Sequence, residues 1–399
     1  MCRLTAYKGK SILIGSVVTK PNNSLLYQSR DAAYHPGVKD ESHHRNILVN
    51  GDGFGVAWYS SEAVQSGACC FKFVTPAWSN QNLQNIGDHV TSNLIFAHIR
   101  AASSGHNPFE KITVNHENCH PFAYGKFTFM HNGGVPHFSK IKLALLNLLS
   151  AHFFQEIKGS TDSEHMFALF LTILFGKCPV SQHMQFNPSL EELINALNVT
   201  ISTVLSLCSA AEVEEACSLN ICLTDGVNVI ATRFRNGPQS PPSLYYNYGS
   251  DFVCEDGNFY SKGKTADSVV ISSAPLSRVG DGVDCDFSSE PSEDRPTSAA
   301  PAQFVLNEDD IGSWVLMPKD FMLICRGDPL NPYKVTSIDL KPVVVGPAFP
   351  GHSAALKKTA TKQPQKPAGA EATANKSPLT KIGSFFAKKP RVMKFRSKL

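Results

Sequence analysis

The chain opens with MCRLTAYKGK, residues 1–10, which places a cysteine directly behind the initiator methionine. Cysteine is small enough at the second position for the methionine to be removed, and Cys2 then carries a thiol and a free α-amino group. A thiolate is a strong nucleophile, and an adjacent amine is a base that can generate it. The stretch therefore predicts an N-terminal nucleophile, although an ordinary buried cysteine explains it better when it is taken alone.

The charge of the chain is distributed unevenly. The 399 residues carry a formal charge of +3, but residues 352–399 contain twelve lysines and arginines against one acid, Glu371. The remainder is therefore acidic. The basic segment is low-complexity Lys, Ala, Pro and Thr sequence, which predicts a disordered tail over 352–399. An acidic stretch rich in Pro and Ser predicts a disordered insertion at 284–302.

The cysteines form no pattern. There are eleven of them, an odd number, and none forms a C-x-x-C pair. We expect no signal peptide, and apolar runs such as MFALFLTILF, residues 166–175, are too short to cross a bilayer. Free thiols in a reducing compartment are therefore expected. We expect neither a metal nor a cofactor, because His116, Cys119 and His120 lack the spacing of zinc ligands and no phosphate-binding glycine loop occurs.

Short apolar or alternating runs bounded by turn residues are typical of strands. Examples are SILIGSV at 11–17, GFGVAWY at 53–59, SNLIFAHI at 92–99, KFTFM at 126–130, LNICLT at 219–224 and FMLICR at 321–326. Between about residues 137 and 207 the apolar residues recur at helical spacing, and Ser189 with Glu192 has the pattern of a helix-capping box. Strands, a helical block and further strands predict a layered α+β domain.

Two polar segments offer charged groups that could bind a substrate. In FAHIRAASSG, residues 96–105, Arg100 ends a strand before a turn through Ser103, and its guanidinium can hold a carboxylate with two hydrogen bonds. In GSTDSEH, residues 159–165, Asp162 stands at the head of a helix and could bind an ammonium group. Taken singly, a surface salt bridge explains Arg100 and a helix N-cap explains Asp162.

Two further segments offer hydrogen-bonding groups. MHNGGV, residues 130–135, places the Asn132 amide beside the freely oriented backbone N–H of Gly133, which is what an oxyanion hole requires. ENCHPF contributes His120. Taken singly, these are a tight turn and a structural histidine. Together with Cys2, the four segments supply a nucleophile, a base, an oxyanion hole, a carboxylate clamp and an ammonium clamp.

The order and spacing of these segments resemble the class II glutamine amidotransferases, which are N-terminal-nucleophile (Ntn) enzymes that hydrolyse a γ-glutamyl amide. The pattern of that family is a cysteine at the mature N-terminus, then H-x-R, H-N-G and T-D-[ST]-E. Here it is Cys2, HIR at 98–100, HNG at 131–133 and TDSE at 161–164. The resemblance covers about residues 2–345 and implies the four-layer αββα Ntn hydrolase fold.

Other segments are similar to a stand-alone branch of the family, which includes the DUG-type glutathione-degrading amidotransferases and the ergothioneine-pathway γ-glutamyl hydrolases. These segments are NGDGFGVAWY at 50–59, NCHPF at 118–122, LTDGVNVIATRF at 223–234 and ISSAPLS at 271–277. The chain departs from the branch at SSAPL, where SEPL is usual, and in the length of the 284–302 insertion.

The resemblance implies a mechanism without a cofactor. Cys2 attacks the γ-carbonyl with its own α-amino group as base, and Asn132 with the Gly133 N–H holds the oxyanion. Water then cleaves the γ-glutamyl thioester. Arg100 would bind the substrate α-carboxylate and Asp162 its α-ammonium. The residues assigned to substrate binding are Arg100, Asp162, Ser103 and His120.

Three functions follow from this resemblance. The first is an amidase that hydrolyses glutathione or a related γ-glutamyl compound and releases glutamate, with a metallopeptidase-like partner subunit as in DUG-type enzymes. The second is a glutaminase subunit that supplies ammonia to a separate synthase, since no synthase domain is recognisable in the chain. The third is an inactive amidase-like scaffold that recruits partners through its tail.

The basic tail carries two competing signals. Ser397, Lys398 and Leu399 form the address of the peroxisomal import receptor. Upstream, LTKIGSFFAKKPR at 379–391 resembles a sliding-clamp-binding peptide followed by a nuclear signal. We expect a cytoplasmic protein by default with import into peroxisomes suggested, no specific nucleic-acid binding and no membrane span.

Overall fold

Two antiparallel sheets form the centre of the computed structural model, which describes residues 2–31, 49–60, 67–101, 113–277, 311–331 and 333–350. The strands within these residues are β1 (Arg3–Leu13), β2 (Phe54–Trp58), β3 (Cys69–Phe73), β4 (Thr91–Ile99), β5 (Phe122–Tyr124), β6 (Phe127–Gly134), β7 (Ser218–Thr224), β8 (Val229–Arg233), β9 (Tyr245–Glu255), β10 (Asn258–Ser272), β11 (Val315–Leu316), β12 (Phe321–Gly327) and β13 (Val335–Pro342). The first sheet has the order β11-β9-β10-β1-β4-β2-β3, and the second has the order β13-β12-β8-β7-β6-β5.

Helices cover the outer faces of both sheets. They are α1 (Gly15–Val18), α2 (Leu25–Arg30), α3 (Gln81–His89), α4 (Phe138–Leu146), α5 (Ala151–Glu156), α6 (Asp162–Phe175) and α7 (Leu190–Ala210). The first three pack on the first sheet, and the last four pack on the second. The last four helices lie in the block that the sequence predicts to be helical.

Three apolar clusters show that the layers are stacked as αββα. One cluster lies between α1–α3 and the first sheet, one between the two sheets, and one between the second sheet and α4–α7. Alternation along each strand divides its residues between neighbouring clusters. On β6, for example, Phe129 faces the helices and Met130 faces the other sheet. The predicted four-layer Ntn-hydrolase fold is confirmed.

Some local predictions are wrong. The opening stretch MCRLTAYKGK is itself most of β1, whereas SILIGSV, predicted as one strand, contains the end of β1 and then α1. Just after the end of the strand, Gly15 packs against the backbone of Gly87 in α3, and its missing Cβ would lie 2.7 Å from the Gly87 oxygen. This close helix–helix approach is a tertiary contact, which local apolar periodicity does not report.

Helix α7 begins as predicted. The Ser189 hydroxyl accepts the Glu192 N–H at 3.2 Å, and the Glu192 carboxylate accepts the Ser189 N–H at 2.7 Å. With 21 residues and a mean hydropathy of 1.5, α7 is the one helix in the described part of the chain that is long and apolar enough to span a membrane. The expectation that the apolar runs are too short is therefore wrong for α7. Its apolar residues pack in the core against α6 and the second sheet.

The predicted insertion at 284–302 and the predicted tail at 352–399 lie outside the described residues, and so does Ser103.

Candidate active site

Cys2 lies at the head of β1, beside the end of β4. The register of the two strands pairs Arg3 with Ile99, so Cys2 falls opposite the residues that follow β4. The Ala101 backbone N–H donates to Sγ of Cys2 at 3.4 Å, and Sγ lies 3.6 Å from the Ala101 oxygen. Because Leu4 faces the space between the sheets, strand alternation turns Cys2 toward the same space.

Charges around the thiol act in opposite directions. Burial raises the pKa of the Cys2 thiol, while the hydrogen bond from Ala101 and the charge of Arg100 lower it; the charge of Asp162 raises it further. The fields of Arg100 and Asp162 therefore both reach Cys2. The structure brings the predicted nucleophile and the two predicted clamps into one site.

Arg100 is buried, and not all of its guanidinium nitrogens have a hydrogen-bond partner among the described residues. Its backbone N–H donates to Gly53 at 2.8 Å, and Nη2 donates to the Thr113 oxygen at 3.1 Å. Its side chain is only 3% exposed, and Nη1 has no hydrogen-bond partner among the described residues. Buried donors are rarely left unpaired, so this guanidinium is suited to an added anion. A surface salt bridge does not explain the residue.

Asn132 and Gly133 lie near the end of β6, where β6 pairs with β7. The Asn132 side chain is 1% exposed, and neither its Oδ1 nor its Nδ2 has a partner in the part of the chain that is described. Because Met130 faces the space between the sheets, Asn132 faces it too, on the side of Cys2. At Gly133 a Cβ would lie 1.9 Å from the Ser218 oxygen. Only glycine fits there.

Asp162 is the first residue of α6 and is not its cap. The cap is Thr161, whose hydroxyl accepts the Glu164 N–H at 3.2 Å. The Asp162 carboxylate instead accepts the N–H of Val135 at 2.8 Å through Oδ2 and that of Ser163 at 2.8 Å through Oδ1. The carboxylate remains partly exposed, so it can receive an ammonium group. The N-cap of α6 is therefore Thr161, and capping does not explain Asp162.

His120 is packed among aromatic rings. Its ring lies 4.1 Å from the ring of His98 and 4.6 Å from that of Phe122, measured between centroids. Neither ring nitrogen has a hydrogen-bond partner among the described residues, and burial lowers the pKa of His120 well below its usual value. The charge of Arg100 reaches this ring. A role for His120 in substrate binding stays a prediction.

One supporting residue, Asn118, escapes analysis of the sequence alone. Asn118 donates from Nδ2 to the Thr113 oxygen at 2.9 Å, the same oxygen that Arg100 uses, and its Oδ1 accepts the Ser160 N–H at 2.7 Å. It thereby joins the segment that holds Arg100 to the loop before α6. The NCHPF segment contains this asparagine, but nothing in its spacing reveals the partners.

No group of three or more His, Cys, Asp or Glu side chains within the described ranges is arranged to hold a metal ion. The ten cysteines in the same ranges are free thiols. What the site does contain is a thiol, an amide at a strand end that no described residue pairs with, a buried guanidinium and a partly exposed carboxylate. Such a set can bind an amino-acid group through both its charges and present a carbonyl to the thiol.

Comparison with known proteins identifies the family. A profile of the class-II glutamine amidotransferases matches residues 40–233. The probable glutamine amidotransferase DUG3 of Saccharomyces cerevisiae is 36% identical over 290 residues, which cover 69% of this chain and 76% of the yeast protein.

Two solved structures show weaker likeness. A class-II glutamine amidotransferase domain protein from Silicibacter pomeroyi is 21% identical, with a TM-score of 0.48 over 86% of this chain and 99% of that one. The glutamine phosphoribosylpyrophosphate amidotransferase of B. subtilis is 11% identical, with a TM-score of 0.41 over 86% of this chain and 50% of that one. On the identity and coverage of the yeast relative, the chain belongs to the class II glutamine amidotransferases.

Proposed function

We propose that this protein hydrolyses the γ-glutamyl amide bond of glutathione or a related γ-glutamyl compound through a thioester on Cys2. The observation that carries the proposal is the grouping around the Cys2 thiol of the buried Arg100 guanidinium, whose Nη1 has no partner among the described residues, and the partly exposed Asp162. These two charges match the carboxylate and the ammonium of a γ-glutamyl group. They say little about the group beyond the amide.

The first half of the reaction forms the thioester. Removal of Met1 leaves the α-amino group on Cys2, with an ordinary pKa of about 7.7–8.0. As a neutral amine it takes the thiol proton, and Sγ attacks the γ-carbonyl carbon of the substrate. The tetrahedral oxyanion accepts hydrogen bonds from Nδ2 of Asn132 and the N–H of Gly133. The C–N bond then breaks, and the leaving amine takes the proton back from the α-ammonium.

The second half regenerates the enzyme. The same amine takes a proton from water, and the resulting hydroxide attacks the thioester carbon. The second tetrahedral oxyanion uses the same two donors. The C–S bond breaks, glutamate leaves, and the thiolate regains its proton. Arg100 and Asp162 hold the glutamyl group through both halves, because its two charges do not change.

The test is turnover on three substrates, with glutamate release as the readout. Glutathione, glutamine and a γ-glutamyl anilide are each incubated with the wild-type protein and with Cys2→Ala. We expect release from glutathione that exceeds release from glutamine and is absent in Cys2→Ala. Faster release from glutamine supports the ammonia-supplying subunit instead. No release from any substrate by the wild type supports the inactive scaffold and overturns the proposal.

Partners and compartment are part of the same proposal. We propose a metallopeptidase-like partner that consumes the released dipeptide and import into peroxisomes through Ser397-Lys398-Leu399, which lie outside the described residues. A fluorescent fusion at the N-terminus is unsuitable because it blocks Cys2. An internal tag in cells, observed with and without the last three residues, tests the address. A nuclear signal in both forms contradicts peroxisomal import.

A further inference from the structure

The ring of His131 links β6 to α6 beneath the proposed oxyanion hole. Its Nδ1 lies 2.9 Å from the hydroxyl of Ser163, and its Nε2 lies 3.0 Å from the backbone oxygen of Ser218. A carbonyl oxygen only accepts hydrogen bonds, so Nε2 must carry the proton. In the neutral ring Nδ1 is then an acceptor, and the Ser163 hydroxyl donates to it.

Ser163 also touches the proposed ammonium clamp. Its backbone N–H donates to Oδ1 of Asp162 at 2.8 Å, and its hydroxyl lies 3.3 Å from the same oxygen. A serine hydroxyl has a single proton to donate. The carboxylate of Asp162 and the ring of His131 therefore compete for one hydrogen bond, and the closer of the two acceptors is His131.

Gly133 connects this ring to the oxyanion hole. A Cβ at Gly133 would lie 1.9 Å from the Ser218 oxygen and 2.9 Å from Nε2 of His131. The hydrogen bond between His131 and Ser218 thus fills the space beneath the Gly133 backbone. A shift of the ring displaces the residue whose N–H is proposed to stabilise the oxyanion, because closely packed interiors transmit small displacements.

We propose that Ser163 and His131 are positioning residues that couple binding of the substrate ammonium at Asp162 to alignment of the Asn132–Gly133 oxyanion hole. An ammonium bound to Asp162 donates hydrogen bonds to the carboxylate, so the carboxylate no longer accepts one from the Ser163 hydroxyl. The hydroxyl then donates fully to Nδ1, and the ring is fixed under Gly133. The α-ammonium is in this way required for the chemical step as well as for binding. The inference rests on the proposed function.

The coupling predicts how a substrate without the ammonium behaves. When the binding energy of a remote substrate group is used to align the catalytic groups, it raises kcat. A substrate that lacks this group is therefore expected to have a lower kcat as well as a lower affinity. Two anilides make the comparison: γ-glutamyl-p-nitroanilide, and glutaryl-p-nitroanilide, which lacks only the α-amino group. For the wild type we expect kcat to be about tenfold lower on the glutaryl compound, the effect of one well-placed hydrogen bond.

Three variants test the link. Ser163→Ala removes the hydroxyl, and we expect its kcat ratio for the two anilides to fall to about one, because only the γ-glutamyl reaction slows. Ser163→Thr keeps a hydroxyl and should restore the ratio. Thr172→Val is the matched control: it removes a buried hydroxyl of the same helix, one that donates to the Ala168 oxygen at 2.9 Å. About 15 Å of helix separate it from Asp162, and we expect the wild-type ratio.

The outcomes separate this inference from the proposed function. A wild-type protein that releases glutamate from none of glutathione, glutamine and the γ-glutamyl anilide refutes the function. An active wild type whose kcat ratio is unchanged in Ser163→Ala, or is lost equally in Thr172→Val, refutes the coupling alone.

A second readout needs no turnover. The ¹⁵N shifts of histidine rings report which nitrogen is protonated, and the His131 signal is assigned by its loss in His131→Gln. We expect an Nε2–H ring whose Nδ1 signal moves in Ser163→Ala. Protonation on Nδ1 alone overturns the inference.

Discussion

The carboxylate of Asp162 accepts the backbone N–H of Val135 at 2.8 Å, so the first residue of α6 is bound to the chain immediately after β6. Val135 follows Asn132 and Gly133 by two or three residues. The proposed ammonium clamp and the proposed oxyanion hole are therefore held by one short connection. Across the site, Asn118 joins the residues that hold Arg100 to the loop before the same helix. Both clamps are thus fixed relative to α6.

The first prediction concerns the oxyanion hole. Asn132→Ala should lower kcat by about 10²–10³ with little change in KM, since the lost hydrogen bond is made to the oxyanion and not to the ground state. Steady-state kinetics on a γ-glutamyl anilide measures it. Asn220 is the matched control, because it pairs with Asn132 across β6 and β7 and its buried amide donates to the Pro242 oxygen. An equal loss of kcat in Asn220→Ala contradicts the assigned role.

The second prediction concerns Arg100. Arg100→Gln should reduce kcat/KM by about a hundredfold on γ-glutamyl-p-nitroanilide, the typical cost of removing one partner of a buried charge pair. On 4-aminobutyryl-p-nitroanilide, which lacks the α-carboxylate, the variant and the wild type should be about equally slow. A hundredfold difference that persists on the truncated substrate shows that Arg100 acts through the fold and not through the carboxylate.

The third prediction concerns the N-terminus. Insertion of a lysine between Met1 and Cys2 should prevent removal of the methionine and separate the amine from the thiol. We expect loss of amidase activity with an unchanged melting temperature, whereas the wild-type protein should have the intact mass of a chain without Met1. Activity in a protein whose mass retains Met1 rules out the α-amino group of Cys2 as the base.

Strand and helix periodicity are local signals, and they predict the α+β class. The four-layer arrangement and the clustering of Cys2, Arg100 and Asp162 are predicted only by the family resemblance that the short motifs carry. The sequence does not predict what Asp162 touches. An aspartate at the start of a helix is a typical N-cap residue. Here Thr161 is the N-cap, and the Asp162 carboxylate accepts a hydrogen bond from the backbone N–H of Val135 instead. The hydrogen bond between Val135 and Asp162 depends on how α6 packs against β6. The spacing of residues along the sequence does not indicate such a contact between two elements.

His131 illustrates the same limit. Its position in the HNG motif is visible in the sequence, but its partners Ser163 and Ser218 are 32 and 87 residues away. Strand alternation alone indicates that His131 and Asn132 face opposite sides of β6. Which side carries the helix, and hence which residue meets Ser163, requires the tertiary structure.

The last prediction concerns stability in acid. Burial lowers the pKa of His98 to about 3 and lowers the pKa of His120 well below its usual value. In the unfolded chain both rings titrate near 6.5. Below that pH the unfolded state binds more protons than the native state, so the free energy of unfolding falls as pH drops from about 6.5 toward 3. His98 contributes a slope of about 1.4 kcal/mol per pH unit in that window, and His120 contributes in the same direction.

His120→Phe tests this assignment. Neither nitrogen of His120 has a partner among the described residues, and the ring packs against His98 and Phe122, so phenylalanine keeps the packing and loses no observed hydrogen bond. Chemical denaturation at pH 7, 6, 5 and 4.5 should show equal stability of the variant and the wild type at pH 7. At the lower pH values the free energy of unfolding of the variant should fall less steeply with pH, because its unfolding takes up one proton fewer. A parallel pH dependence in the two proteins means that His120 is protonated in the native state, and its ring nitrogens must then have a partner or contact water.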